Sequence, residues 1–304
     1  MPITIPEGLP ARTVLERENI FVMDEKRAMH QDIRPLRILL LNLMPDKPTT
    51  ETQICRCLSN TPLQINITLL QTSSHISKNT PQEHLIAFYQ TFDQICHERY
   101  DGMIITGAPV EHLPFEQVDY WEELCEIMDW SKANVHSVFH ICWSAQAALY
   151  HHYGIDKAPL PEKLSGVFSH RVLTPHLPLV RGFDENFLAP HSRHTGLDTK
   201  EIAARPEMTL VSDSQEAGPY ILLAREGRQI FVTGHSEYDI GTLAAEYRRD
   251  IARGLPVGIP KNYFPNDDPS LPPNGNWRAH GHLLYTNWLN YYVYQSTPYD
   301  LSQL

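Results

Sequence analysis

Through the first half of the chain, short apolar runs alternate with amphipathic stretches. Residues 37–44, RILLLNLM, are rich in Ile and Leu and have the pattern of a fully buried strand. Pro45 and Asp46 break the run, and residues 49–58 read as a helix. Residues 63–72 have strand character. In EHLIAFYQTFDQI, residues Leu85, Phe88, Phe92 and Ile95 recur at helical spacing and share one face. Residues 100–109 read as a strand ending in a Gly turn, 118–130 as a helix, 135–142 as a strand, and 143–154 as a helix closed by Gly154.

Strand and helix in alternation predict an α/β fold: a doubly wound, mostly parallel sheet with flanking helices. Such sheets hold ligands at the carboxyl ends of their strands, here near Met44, Gly107 and Cys142. The second half is less regular. Residues 158–195, rich in Pro and His, predict short strands. Residues 208–214, 220–226 and 228–235 read as strands, and 241–253 as a helix. Residues 256–275 contain six prolines and read as a long ordered loop. A last helix, about 278–294, carries Trp288, Leu289, Tyr291, Tyr292 and Tyr294, a set suited to core packing or to a homodimer face. No repeat or linker divides the chain. It reads as a single domain over 1–304, with an N-terminal extension (about 1–34) and a C-terminal loop plus helix (about 256–304).

Composition narrows the function. A formal charge of -11 over 304 residues argues against nucleic acid as a partner, because phosphate binding wants clustered Lys and Arg. Residues 1–12 lack the basic and apolar regions of a signal peptide, and no stretch has the apolar length of a membrane span. Five cysteines without a CxxC pair indicate reduced thiols and a cytoplasmic location. Cys55 and Cys57, two apart on a helix, face different ways. Sixteen histidines raise the question of a metal. None is expected, because His151 and His152 diverge on a helix, and His280 and His282 lack a carboxylate at ligand spacing.

Cys142 stands at a strand-to-helix junction, between VFHI and WSAQAALY. A side chain on such a turn projects from the sheet edge as in a nucleophile elbow. The positive end of the following helix favours a thiolate. The backbone N–H of Trp143 would lie near it, ready for an oxyanion, and the turn TGAPVEH (106–112) offers Gly107 as a second donor. His235 and Glu237 follow another apolar strand. Two apart in an extended segment, they would point to the same side, with Glu237 orienting His235 as base.

A Cys at such an elbow with a later His-x-Glu resembles class I glutamine amidotransferases, which prefer Gly where this chain has His140 and Ser144. A closer resemblance runs through RPLRILLLNLMPDK, TGAPVEHLPFEQVDYW, ICWSAQAALYHHYGI, EKLSGVFSHRV, FLAPHSRHTG, VTGHSEYD and NYFPNDDP…NWRAHGHLLYTNWLNYYVYQSTPYDL. These segments resemble the homoserine O-acyltransferase family of methionine biosynthesis, of the amidotransferase-like, flavodoxin-like fold. His235-Ser236-Glu237 departs from that family's His-Pro-Glu. The resemblance implies a ping-pong transfer from acyl-CoA, with Cys142 as acyl carrier, His235 as base and Glu237 as its partner. It places Lys163, Ser192 and Arg249 at the substrate; periodicity alone does not choose between Arg248 and Arg249. It implies small-molecule partners, L-homoserine and an acyl-CoA, and no cofactor. In the resemblance the succinyl-using type has Gly at the position of Glu111 and the acetyl-using type has Glu, which fits a carboxylate that would repel and crowd a succinyl group. The expected co-substrate is therefore acetyl-CoA.

Overall fold

In the computed structural model, which describes residues 3–6, 8–18, 22–23, 34–75, 79–298 and 300–304, the apolar runs of the first half become neighbouring parallel strands. The elements are β1 (Ile3–Thr4), α1 (Ala11–Arg17), β2 (Val22–Met23), β3 (Leu36–Leu41), α2 (Lys47–Leu58), β4 (Ile65–Leu70), α3 (Gln82–Phe88), β5 (Tyr89–Gln90), α4 (Phe92–Ile95), β6 (Tyr100–Ile105), α5 (Trp121–Asn134), β7 (Val135–Ile141) and α6 (Trp143–Tyr153). Then follow β8 (Ala158–Val172), β9 (Asn186–Gly196), α7 (Thr199–Ala203), β10 (Met208–Ser214), β11 (Gly218–Ala224), β12 (Gln229–Val232), α8 (Thr242–Ala252) and α9 (Arg278–Asn287). Twelve described strands form one sheet, ordered β2-β1-β4-β3-β6-β7-β12-β11-β10-β8-β9, with β5 beside β4. Pairing is parallel from β2 across to β12 and antiparallel from β12 across to β9.

Both faces of the parallel half are covered, which is why its strands read as continuous apolar runs. Leu36, Ile38 and Leu40 of β3 enter one core with Ile54 and Leu58 of α2 and Trp288 beyond α9. Leu39 and Leu41 enter the other, with Leu124, Ile127 and Met128 of α5. The Pro45–Asp46 break is a helix start: Asp46 caps α2, its carboxylate accepting from the Thr49 N–H at 3.3 Å and hydroxyl at 2.7 Å. Gly154, at φ +67°, closes α6 as expected.

Several expectations need correction. Residues 83–95 are not one helix. The chain straightens at Tyr89–Gln90 to pair with β4, and a capping box at Thr91 and Gln94 starts α4 afresh. The strands expected to be short within 158–195 are the long hairpin β8–β9, joined over most of its length by antiparallel pairing. The strands expected over 220–226 and 228–235 end earlier, at Ala224 and Val232. The last helix changes at Trp288 into a π-helix (Trp288–Tyr294). Trp288 and Leu289 are core residues, whereas Tyr294 is exposed. The expected extension over about 1–34 lies partly outside the described residues; within it, Leu15 of α1 is buried.

The proline-rich segment is pinned to β8 at Gly166. The Lys261 N–H donates to the Ser165 carbonyl at 2.9 Å, and the Val167 N–H donates to the Lys261 carbonyl at 2.8 Å. Gly166 has φ +147°, and a Cβ there would lie 2.6 Å from the Lys261 nitrogen. Gly166→Ala should therefore lower the urea unfolding free energy by about 3 kcal/mol, with faster proteolysis within 256–275.

His140, next to last in β7, is buried and stacks on Phe231 with ring centroids 5.3 Å apart. Burial pushes its imidazole down to about 3. Between that value and the ordinary one near 6.5, the unfolded chain binds a proton that the folded chain does not. Its contribution to stability is thus complete above about pH 6.5 and is lost as pH falls toward 3. In His140→Leu, stability measured by urea titration should fall less steeply between pH 6 and 4, by about 1.4 kcal/mol per pH unit.

Candidate active site

The register of three parallel strands brings the first pieces together. Ile105 of β6 pairs with His140 of β7, so Gly107 comes level with Cys142. Ile141 of β7 pairs with Val232 of β12, so the chain leaving β12 carries His235 to the same edge. Cys142 takes φ 53° and ψ −113°, a conformation that side chains rarely adopt. Its N–H donates to the Val232 carbonyl at 2.7 Å. Ser144, one of the departures from the amidotransferase pattern, donates its hydroxyl to the Ile105 carbonyl at 2.6 Å and accepts the Ile141 N–H at 3.0 Å. The elbow is thereby tied to both flanking strands. A Cβ on Gly107 would lie 3.3 Å from the Cys142 Cβ and 3.5 Å from the His235 Cε1, so a side chain there would press on Cys142. At the first position of α6, the Trp143 N–H has no partner within the helix.

His235 Nδ1 and Glu237 Oε1 are 2.7 Å apart, and Cys142 is the other group whose charge acts on the ring. The reason for the His–Glu pairing differs from the one expected. Residues 235–238 are not extended; they form a turn closed by the Tyr238 N–H donating to the His235 carbonyl at 3.2 Å. The His235 N–H is held by the Pro190 carbonyl of β9 at 2.8 Å. Burial alone would push His235 down, but the charges of Cys142 and Glu237 outweigh it and hold the imidazole well above its ordinary value. For His235 the protonated imidazolium is the state this favours.

These residues open into a cleft of about 220 Å³ whose lining includes Gly107, Glu111, Lys163, Ser192, Arg249 and His194. Lys163 and Ser192 lie on β8 and β9 rather than in solvated loops. Lys163 Nζ donates to Asp250 Oδ2 at 2.7 Å, and Arg249 Nε to Asp250 Oδ1 at 2.9 Å. Asp250 resists burial's upward push and stays below the usual carboxylate range, through those two cations. Ser192 donates to Glu246 at 2.5 Å. The Glu111 carboxylate accepts the His194 N–H at 2.6 Å. Of the adjacent pair Arg248 and Arg249, it is Arg249 that lines the cleft.

Sequence reasoning missed Tyr238, Glu246 and Asp250. The Tyr238 ring stacks on His235, with centroids 4.1 Å apart and planes at 16°, and its hydroxyl donates to Glu246 at 2.8 Å. A signal for α8 was present: Glu246, Arg249, Asp250 and Arg253 recur at i, i+3, i+4 and i+7, a charged stripe on one helical face. The expected divergence of His151 and His152 also fails. His151 Nε2 lies 3.0 Å from Asp129 Oδ2, and His152 Nδ1 lies 3.9 Å from Oδ1. Lys132 already pairs with that carboxylate at 2.6 Å, and Arg225 lines the same recess, so cations fill the place where a metal's charge would go.

The family model described as homoserine O-succinyltransferase matches residues 2–299. A protein of Acetivibrio thermocellus named homoserine O-acetyltransferase is 62% identical over 304 residues, 100% of both chains. One of the same name from Brevibacillus brevis is 59% identical over 302 residues, 99% of both chains. Among solved structures, a glutamine amidotransferase from Thermotoga maritima aligns with TM-score 0.58 at 12% identity, over 85% of this chain and 98% of its own. Another from Methylobacillus flagellatus gives 0.52 at 10% identity, over 85% and 95%. At that identity the likeness is one of fold, and it agrees with the doubly wound sheet. The match across nearly the whole chain settles the family: this protein belongs to the homoserine O-succinyltransferase family of acyltransferases.

Proposed function

We propose that the protein transfers an acetyl group from acetyl-CoA to the hydroxyl of L-homoserine, through a thioester on Cys142, as the first step from homoserine toward methionine. The observation that carries this reading is the pairing of Cys142 with the buried His235–Glu237 dyad at one wall of a cleft whose other wall presents opposite charges on one helix face. The Cys142 thiolate attacks the thioester carbonyl. The bond from carbon to the CoA sulfur breaks, and CoA leaves with the proton held by His235. His235 then takes the proton of the homoserine hydroxyl, whose oxygen attacks the acyl-enzyme carbonyl and releases the thiolate. The N–H groups of Trp143 and Gly107 are the proposed oxyanion donors. Arg249 offers a planar two-pronged partner for the amino-acid carboxylate. Glu246 offers the opposite charge for the ammonium group. The five free cysteines support a reducing compartment such as the cytoplasm.

Glu111 supports acetyl as the donor group. Its carboxylate, fixed on the His194 N–H, faces the same cleft as Cys142 and would oppose a second carboxylate at the end of a succinyl chain. The names of the relatives that are about 60% identical support the same choice.

The test is CoA release with L-homoserine and either acetyl-CoA or succinyl-CoA. Acetyl-CoA should be preferred, and equal use of both would overturn the donor assignment. Cys142→Ala should lose about four orders of magnitude or more in kcat; full activity in that variant would sink the covalent route. In Glu111→Gly, kcat/KM for succinyl-CoA relative to acetyl-CoA should rise by at least about tenfold, and an unchanged ratio would remove the repulsion argument.

A further inference from the structure

Behind the cleft, on the buried side of β9, lies a polar array that the transfer reaction does not use. Arg193, His191 and His170 are 3%, 0% and 0% exposed. Their hydrogen bonds fix one proton order. The Phe168 carbonyl can only accept, so His170 donates from Nδ1, at 2.9 Å. His170 Nε2 must then accept from His191 Nε2, at 3.0 Å. That leaves His191 Nδ1 as acceptor for Arg193 Nε–H, at 3.5 Å. Both rings are neutral in this order, and burial, which pushes His170 down to about 3 and His191 well below its ordinary value, keeps them so.

The guanidinium's other partners are the carbonyls of Thr195 and Ala217. Every partner of Arg193 is thus uncharged, and among the described residues no carboxylate pairs with it. A buried guanidinium without a counter-charge is costly, and such a cation persists where a nearby anion offsets it. The anion is close. Thr195 Oγ1 donates to Gln146 Oε1 at 2.8 Å, and the Gln146 N–H donates to the Cys142 carbonyl at 3.3 Å. The same stretch of β9 holds the His235 N–H through Pro190 and Glu111 through the His194 N–H. Cys142 and Glu111 are the negative groups whose charges act on Arg193.

We infer that Arg193 is a positioning residue for the nucleophile: its unpaired buried charge, held in place by the neutral His191–His170 relay, keeps Cys142 in the thiolate form. The charge count supports this. A Cys142 thiolate, a His235 imidazolium and a Glu237 carboxylate leave one net negative charge in a buried site, and Arg193 balances it. Lys163 and Arg249 do not serve, because the two carboxylates of α8 that line the cleft with them, Asp250 and Glu246, together offset both. Glu246 is taken up by the hydroxyls of Ser192 and Tyr238. Glu111, the remaining anion beside Cys142, adds to the need for a compensating cation. The inference rests on the reading of Cys142 as nucleophile, and it adds a residue that does not line the cleft.

The test is the pH dependence of Cys142 alkylation by iodoacetamide, read by peptide mass spectrometry on the full-length protein, with exposed Cys96 as internal control. In the parent, Cys142 should titrate well below Cys96. A silent or ordinary Cys142 would overturn the nucleophile reading and the inference with it. In Arg193→Gln, the midpoint for Cys142 should rise by about one pH unit and its alkylation below that midpoint fall about tenfold, while Cys96 stays unchanged. A folded Arg193→Gln with the parent's midpoint would overturn the role of Arg193 and leave Cys142 as nucleophile. Where Arg193→Gln fails to fold, Arg193→Lys decides. With the charge kept, its midpoint should stay near the parent's, and a full-unit rise in folded Arg193→Lys would overturn the inference.

Discussion

The left-handed backbone at Cys142 is the constraint on which the rest of the site depends. A non-glycine residue at φ 53° and ψ −113° is strained by about 1–3 kcal/mol and persists only where its surroundings over-determine it. Three groups do so here. The Cys142 N–H is held by β12, the Ser144 hydroxyl is held by β6, and Cys142's own carbonyl starts the hydrogen bonding of α6. Each tie belongs to a different neighbour, so the elbow is fixed only once the parallel sheet is complete. The strain has a use. It breaks the strand at the start of α6, where Cys142 shares the cleft lining with His235.

Around that elbow the sheet changes character. From β2 to β12 every strand pairs in parallel, and from β12 to β9 every pair is antiparallel. The parallel half supplies Gly107, Cys142 and, just beyond β12, His235. The antiparallel half returns over them, with Pro190, Ser192 and His194 of β9 touching His235, Glu246 and Glu111 in turn. The site therefore needs both halves. On the proposed reading, the first carries the reacting groups, and the second fixes their orientation and forms the wall they face. Helix α8 closes the cleft with a stripe whose charges are mostly compensated, so a substrate with one positive and one negative end can exchange partners with it at small electrostatic cost.

What was legible in the sequence follows from this division. The parallel strands are buried on both faces, so they read as apolar runs, and their order and ends were within a few residues of the structure. Cys142, Gly107 and His235 were found because they sit at those ends. The hairpin β8–β9 was not legible as a hairpin. Its strands are interrupted by Pro and His, and their pairing is set by contacts with the end of β12 and with the proline-rich segment rather than by local pattern. For that reason the array of Arg193, His191 and His170 left no sequence signal. The helical break at Tyr89 is a case where edge pairing with β4 overrides propensity. Glu237 was found with a mistaken geometry. A spacing of two places side chains together in a strand, but here a turn does so, and the turn also brings Tyr238 under the imidazole.

The same backbone that holds His235 bears on how, on the proposed reading, one position could govern the acyl group. Glu111 does not stand free in the cleft. Its carboxylate occupies the His194 N–H, a donor on β9 that otherwise faces the site. A donor of that kind is well suited to an anionic acyl end, and Glu111 removes it twice, by filling the space and by satisfying the hydrogen bond. Glycine at this position would vacate the volume, withdraw the like charge and free the donor together. Three separate terms then change sign with one substitution, and none of them requires the elbow, the dyad or the charged stripe of α8 to move. On the acetyl reading, donor choice is thus decoupled from the machinery of transfer. That separation is what a family divided between two acyl donors would need from a shared fold.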